Sequence, residues 1–457
     1  MSLKPRNERV DNRPYVGDSG RELQGPADAA TVTFAFIVLA LAIGFAIGFI
    51  VFAIMNLSVW VTSLIWGSFE SGTAVWWYPL AICTLGGLVI GLWTLLTGNR
   101  VRGLEEVMRE FRETGRYELG GAGRAVVSFL LPLVFGGSVG FEAGLTGIIT
   151  AACCWIRDRL KAAGLRAAHV ANVTISATLS AIFGTPLAGL VAGMESDPES
   201  GSGTDGIGGG AGSARIVDSY NMRKGVKVVL YLAAAIGAFG GIILFSSLFG
   251  RAAGLPRFDS ISASGADLIW VVPCLVIGYL LTVVYHGSSR AFGHISLKLG
   301  DGSRGTVMKP VVAGIIMGTL ATVFPLVLFP GEMQAHELMA DWRTWSALAL
   351  IATGVLKAIA TPMCLRMGWM GGNLFPSIFA GVACGYGVAL LTGADPMLMV
   401  TVVTTAFLAG VTRKPLLAIA ILLLCFPLHG IIWSGIAAVI GGSLPIPGRI
   451  LEKEELQ

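Results

Sequence analysis

The sequence predicts an all-α, polytopic membrane protein built from two related halves. Three observations predict it. Apolar runs long enough to cross a bilayer recur along the chain, other apolar runs are cut short by glycine and proline, and motifs of the first half return in the second about 230 residues later. Composition fixes the solvent: hydrophobic residues make up 54% of the 457 and charged residues 13%, with a mean hydropathy of +0.74. That is too apolar for a water-soluble globule.

In chain order, residues 1–30 are polar and carry Lys4, Arg6, Arg9, Arg13 and Arg21. They lack the short apolar core of a secretory signal and are expected as a cytoplasmic tail. Residues 31–198 form a first membrane repeat and 225–447 a second, each with clear spans: 31–57 and 74–96, then 226–249, 268–285 and 310–329. The apolar stretches 125–135, 145–155 and 374–391 are short or interrupted, which predicts helices that stop part-way through the bilayer. Lipid does not tolerate open backbone, so such breaks belong where they line a protein-enclosed pathway.

Basic residues gather at Arg100 to Arg124, at Arg157 to Arg166 and at Arg215 to Lys227, and by the positive-inside rule these loops face the cytoplasm. Between them, Leu104, Val107, Met108 and Phe111 recur at helical spacing among charges, as in an interfacial amphipathic helix. A Gly/Ser-rich tract opens a linker over 199–224, and residues 448–457 make a short tail. Around that linker the halves echo one another. LSAIFGTPL at 179–187 matches LAGVTRKPL at 408–416 in spacing, and GGSVGFEAG around Glu142 matches GWMGGNLFP around Leu374.

The chemistry concentrates in the second pair. Glu142 stands alone among glycine and apolar residues at the start of a predicted helix, where an ionised carboxylate is expensive unless paired or protonated, and it is therefore a functional candidate. A helix N-terminus attracts anions, so the carboxylate can hold an anion's place and vacate it on protonation: a gate. In the second motif, Gly371 and Gly372 let the backbone come close, Pro376 suits a first helical turn, and the amides of Asn373 and Leu374 are the candidate ligands. Phe141 and Ala143, flanking Glu142, complete the candidate lining. Lys357, in an apolar segment, either raises the local positive potential or snorkels toward an interface.

The seven cysteines read as small buried apolar residues, and the five dispersed histidines, His429 among them, have no metal-ligand spacing. No cofactor or metal is expected. The formal charge of +4 gives no reason to expect nucleic acid.

These motifs resemble those of the CLC family of chloride channels and proton-coupled anion exchangers. GFEAG at 140–144 is similar to that family's GREGP motif, GNLFP at 372–376 to its GxFxP motif, and FGTPLAG at 183–189 to its NAPLAG segment. The resemblance implies a CLC-like inverted repeat of two antiparallel halves, a homodimer with one anion pathway per subunit, and an integral position in a bacterial inner membrane. Residue by residue it puts Glu142 on the external gating glutamate and the amides of Asn373 and Leu374 on the central anion site. The family's serine motif falls on Gly98 to Arg102, with Asn99 in the serine's place. Phe141 replaces the motif arginine, Gly144 the motif proline, and Pro447 the central tyrosine. Of the exchangers' paired internal glutamates, Glu195 matches the first while Ser196 stands at the second, which leaves a proton path through Glu195 and Ser196 open. No regulatory module is expected after the last span.

The function implied is transmembrane transport of a small inorganic anion, most simply chloride, through a pore gated by a glutamate. Fluoride or another anion, with or without proton antiport, is the alternative within the class. A multipass membrane enzyme or scaffold is the alternative outside it. Such an enzyme requires clustered catalytic side chains that the sequence does not display.

Overall fold

A computed structural model describes residues 26–70, 75–98, 122–145, 147–149, 170–183, 185–195, 224–249, 256–300, 302–423, 425–426 and 430–447. Its first repeat contains α1 (Pro26–Glu70), α2 (Tyr78–Thr97), α3 (Ala122–Val134), α4 (Val170–Phe183) and α5 (Pro186–Glu195). The second contains α6 (Lys224–Phe249), α7 (Val271–Lys298), α8 (Ser303–Val323), α9 (Glu332–Asp341), α10 (Ala347–Arg366), α11 (Leu374–Thr392), α12 (Pro396–Thr412), α13 (Pro415–Leu422) and α14 (Ile431–Ser443). Among the described residues seven of these helices are long and apolar enough to cross a membrane. No strand appears among those residues, only one isolated antiparallel bridge.

Helices meet where glycine lets backbones touch, the usual solution in lipid, where no hydrophobic effect drives helices together. A Cβ on Gly44 or Gly48 of α1 would collide with the carbonyls of Ala234 or Ala238 on α6, and Gly237 of α6 answers against Leu41. The α2 and α8 pair is built alike: Gly87 meets Pro310, and Gly314 meets Cys83. At the centre α11 lies against α12, with Gly381 on Thr404 and Gly385 on Val400. Residues 374–389 of α11 are all buried.

The repeat seen in the sequence is a structural one. In each half a helix (α4, α12) is followed within three residues by a shorter helix (α5, α13) that starts at a proline, Pro186 or Pro415, whose fixed φ and missing N–H suit a first turn. The halves touch here: the Thr185 hydroxyl, just before α5, donates to the carbonyl of Ala420 within α13, 3.4 Å away.

Several boundaries differ from expectation. The helix of the first span already begins at Pro26, inside the stretch read as tail. The fourth expected span continues to Lys298, because the polar residues after Tyr285 extend the helix beyond the apolar run. Pro310, read as a span start, lies inside α8, which begins at Ser303 and ends at Val323. The 374–391 stretch, expected to stop part-way, is a continuous helix of 19 residues. Its glycines pack against neighbouring backbone and do not break it. The interfacial helix at 104–111, most of the linker at 199–224 and the tail at 448–457 lie outside the described residues.

Candidate functional site

The two glycine-rich motifs, 232 residues apart at their key positions, meet in the interior. Gly140 and Gly372 form the single bridge: the N–H of each donates to the carbonyl of the other, at 2.7 and 2.8 Å. Glu142 folds back between them. A Cβ on Gly372 or on Gly140 would collide with its carboxyl group, so glycine at both positions is what admits the side chain.

Glu142 is 1% exposed, and its Oε1 accepts from the backbone N–H of Leu374 at 2.5 Å. Leu374 is the first residue of α11. The carboxylate therefore sits on an amide-rich, dipole-positive helix end, the place a free anion would take. Its Oε2 is buried without a hydrogen-bond partner among the described residues. An orphaned carboxylate oxygen costs on the order of 1–3 kcal/mol. The group is thus held by one strong bond and opposed by one unmet need.

The lining is aromatic and uncharged. Phe141, standing where the resembling motif has arginine, is 5% exposed and sets its ring edge-on to Phe375 at 5.9 Å, while Phe183 stacks on Phe375 at 5.1 Å. Ala143 is buried. Asn373 is partly buried, and its Nδ2 donates to the hydroxyl of Tyr285 at 3.1 Å.

The loop before Glu142 is pinned from two directions. The Ser138 hydroxyl lies 3.1 Å from that of Thr361 on α10, and the Phe329 N–H donates to the Gly136 carbonyl at 3.3 Å. Phe329 in turn belongs to a segment gathered by Lys357. The Lys357 ammonium donates to the carbonyls of Leu326, Val327, Leu328 and Phe329 at 2.9 to 3.2 Å and lies 4.7 Å from the centre of the Phe379 ring. Lys357 is fully buried, which corrects the snorkelling reading. Snorkelling needs a water interface within reach, and this cation is hydrated by carbonyls instead.

Of the sequence candidates, Glu142, Phe141, Ala143, Asn373 and Leu374 come together. Asn99 and Ser196 lie outside the described residues, as do Cys153, Cys154 and His429. Glu195 ends α5, and its side chain is also outside them. Cys83, Cys274, Cys364, Cys384 and Cys425 are buried and free, and no metal-binding group of three or more ligands occurs among the described residues. Tyr285 was not found by sequence reasoning. It lies in an ordinary apolar run, and nothing local marks a contact made 88 residues away.

Comparison with known proteins places the chain in a family and a fold. The family model described as voltage gated chloride channel matches residues 86–198 and 216–444. Chloride channel protein CLC-e of Arabidopsis thaliana is 31% identical over 133 residues, which is 25% of this chain and only 19% of that protein's length. The Escherichia coli protein YfeO is 23% identical over 374 residues, 76% of this chain and 77% of the relative. Among solved structures, a CLC-type fluoride/proton antiporter superposes with a TM-score of 0.67 at 15% identity, covering 90% of this chain and 94% of its own. A slow cyanobacterial Cl−/H+ antiporter gives 0.65 at 16% identity, covering 93% and 99%. At these identities the likeness shows the fold: the CLC inverted repeat in an integral, multi-pass membrane protein.

Proposed function

The chain belongs to the voltage-gated chloride channel family, and on that premise we propose that it carries small inorganic anions, chloride foremost, across the membrane through a pathway that Glu142 gates. The observation that supports this reading is the bond between Glu142 Oε1 and the Leu374 amide. An ionised carboxylate there excludes a permeant anion by occupying its donors and by repulsion. Protonation weakens both effects, and the side chain yields the place. Anion flux therefore rises as pH falls. The working unit in this reading is a dimer in the lipid bilayer, each subunit with its own pathway.

Passive conduction, or coupling of an unusual kind, is favoured over strict exchange for protons, because Ser196 offers no titratable group where the exchangers carry their second internal glutamate. Efflux from chloride-loaded proteoliposomes, with a pH electrode in the outer solution, tests both parts. Chloride efflux without proton movement in the opposite direction is expected. Alkalinisation of the outer solution in fixed ratio to the chloride released would restore the exchanger, and a fluoride-only flux in the same assay would reassign the ion.

A further inference from the structure

Asparagine is among the residues that most often cap a helix, its side-chain oxygen accepting from N–H groups in the first turn. Asn373 holds the cap position of α11 and does not do this. No side-chain bond runs to the helix, and its backbone sits at φ −115°, ψ −9°, away from the extended region that capping residues take. The carboxamide is turned the other way, its Nδ2 donating to the Tyr285 hydroxyl on α7 at 3.1 Å. Tyr285 is buried, with its ring edge-on to His286 at 5.4 Å and to Phe407 at 6.3 Å. A phenol fixed on both sides gives the amide a stationary partner.

The helix end has few donors to lose. Pro376 has no N–H, and the Ser377 N–H already donates to the Asn373 carbonyl at 3.2 Å, so the first turn presents only the amides of Leu374 and Phe375. A cap bonds the second or third helical residue and the third is Pro376, so a capping oxygen from Asn373 would take the Phe375 N–H and set its partial negative charge beside the Leu374 amide. It would do so with the advantage of being attached to the same helix.

We infer that Tyr285 is a positioning residue: its hydroxyl draws the Asn373 carboxamide off the start of α11 and reserves those amides for the Glu142 carboxylate or for an anion that displaces it. The inference rests on the anion-site reading above and adds to it a residue that sets affinity without touching the ion. Tyr285→Phe keeps the ring and removes the acceptor. The freed carboxamide then competes for the helix end, weakening anion binding while leaving the width of the pathway alone.

The test is the dependence of efflux rate on chloride concentration in proteoliposomes holding the full chain, compared for the parent, Y285F, N373A and the double variant. Y285F is expected to raise the half-saturating concentration about fivefold, the worth of one helix cap, with a much smaller change in maximal rate. In the N373A background, with no carboxamide left to hold, the same substitution is expected to shift nothing. Asn373→Ser gives an independent arm: serine caps well but is too short to reach Tyr285, so N373S is expected to show the fivefold rise even with the tyrosine intact. A Y285F effect of equal size in both backgrounds, an unchanged Y285F, or an N373S that behaves as N373A would each overturn the inference while leaving the anion site in place. A parent chain that moves no anion would overturn the site and the inference together.

Discussion

Replacing Gly372 by alanine evicts the gate without altering the gate residue. Gly372 has an ordinary negative φ, so alanine is compatible with its backbone, and the obstacle is the Glu142 carboxyl group itself. The new methyl would overlap the carboxyl carbon and both oxygens, falling more than about 1 Å short of the roughly 3.5 Å at which carbon atoms meet. The side chain has to withdraw, and withdrawal breaks its bond to the Leu374 amide. A hydrogen bond to a charged group is worth roughly 1.5–3 kcal/mol, so occupancy of the closed position falls about ten- to a hundredfold. In proteoliposome efflux, G372A should conduct faster at neutral pH than the parent and lose most of the parent's acceleration toward acid. Gly293→Ala serves as a control, since a Cβ there meets nothing within 4 Å. A folded G372A protein with the parent's rate and pH profile would refute the reasoning, because the carboxyl group would then have tolerated the methyl without leaving the helix end.

Other outcomes follow from the same contacts. Lys357→Met removes an ammonium whose three protons serve four backbone carbonyls, at about 1 kcal/mol per proton, and should lower stability in detergent by about 3 kcal/mol. A thermal midpoint equal to the parent's would show the cage to be dispensable. Gly44→Leu drives a side chain into the Ala234 backbone and should separate α1 from α6 at a cost of about 3 kcal/mol, read from the same melts, whereas Gly240→Leu on α6, which faces open space, should cost little. An equal loss from both would mean that the glycine seam does not set the packing.

How much was legible in the sequence depended on the range of the interaction. Apolar runs announced the membrane helices because burial in lipid acts residue by residue, and proline and glycine announced the paired turns because their effect is local. The Glu142 and Leu374 motifs were conspicuous for the same reason: a carboxylate in an apolar run and a proline in a first turn are each unusual by themselves. The ends of helices were less visible. Pro310 looks like a start but sits inside α8, where its carbonyl accepts from the Trp369 indole, and the polar residues after Tyr285 remain helical. Least visible were long-range polar partners. Tyr285 finds Asn373, and Lys357 finds the carbonyls of 326–329, only after the helices have packed. Nothing in the local sequence of either residue specifies its partner.

Calorimetric titration of chloride into the parent and into E142A, at neutral and at acidic pH, goes to the centre of the account. If the Glu142 carboxylate and the anion compete for the start of α11, E142A should bind chloride roughly tenfold or more tightly than the parent at neutral pH, and the gap should narrow in acid as the parent's carboxyl is protonated. Equal affinities at neutral pH, or a parent that binds more tightly as pH rises, would contradict it.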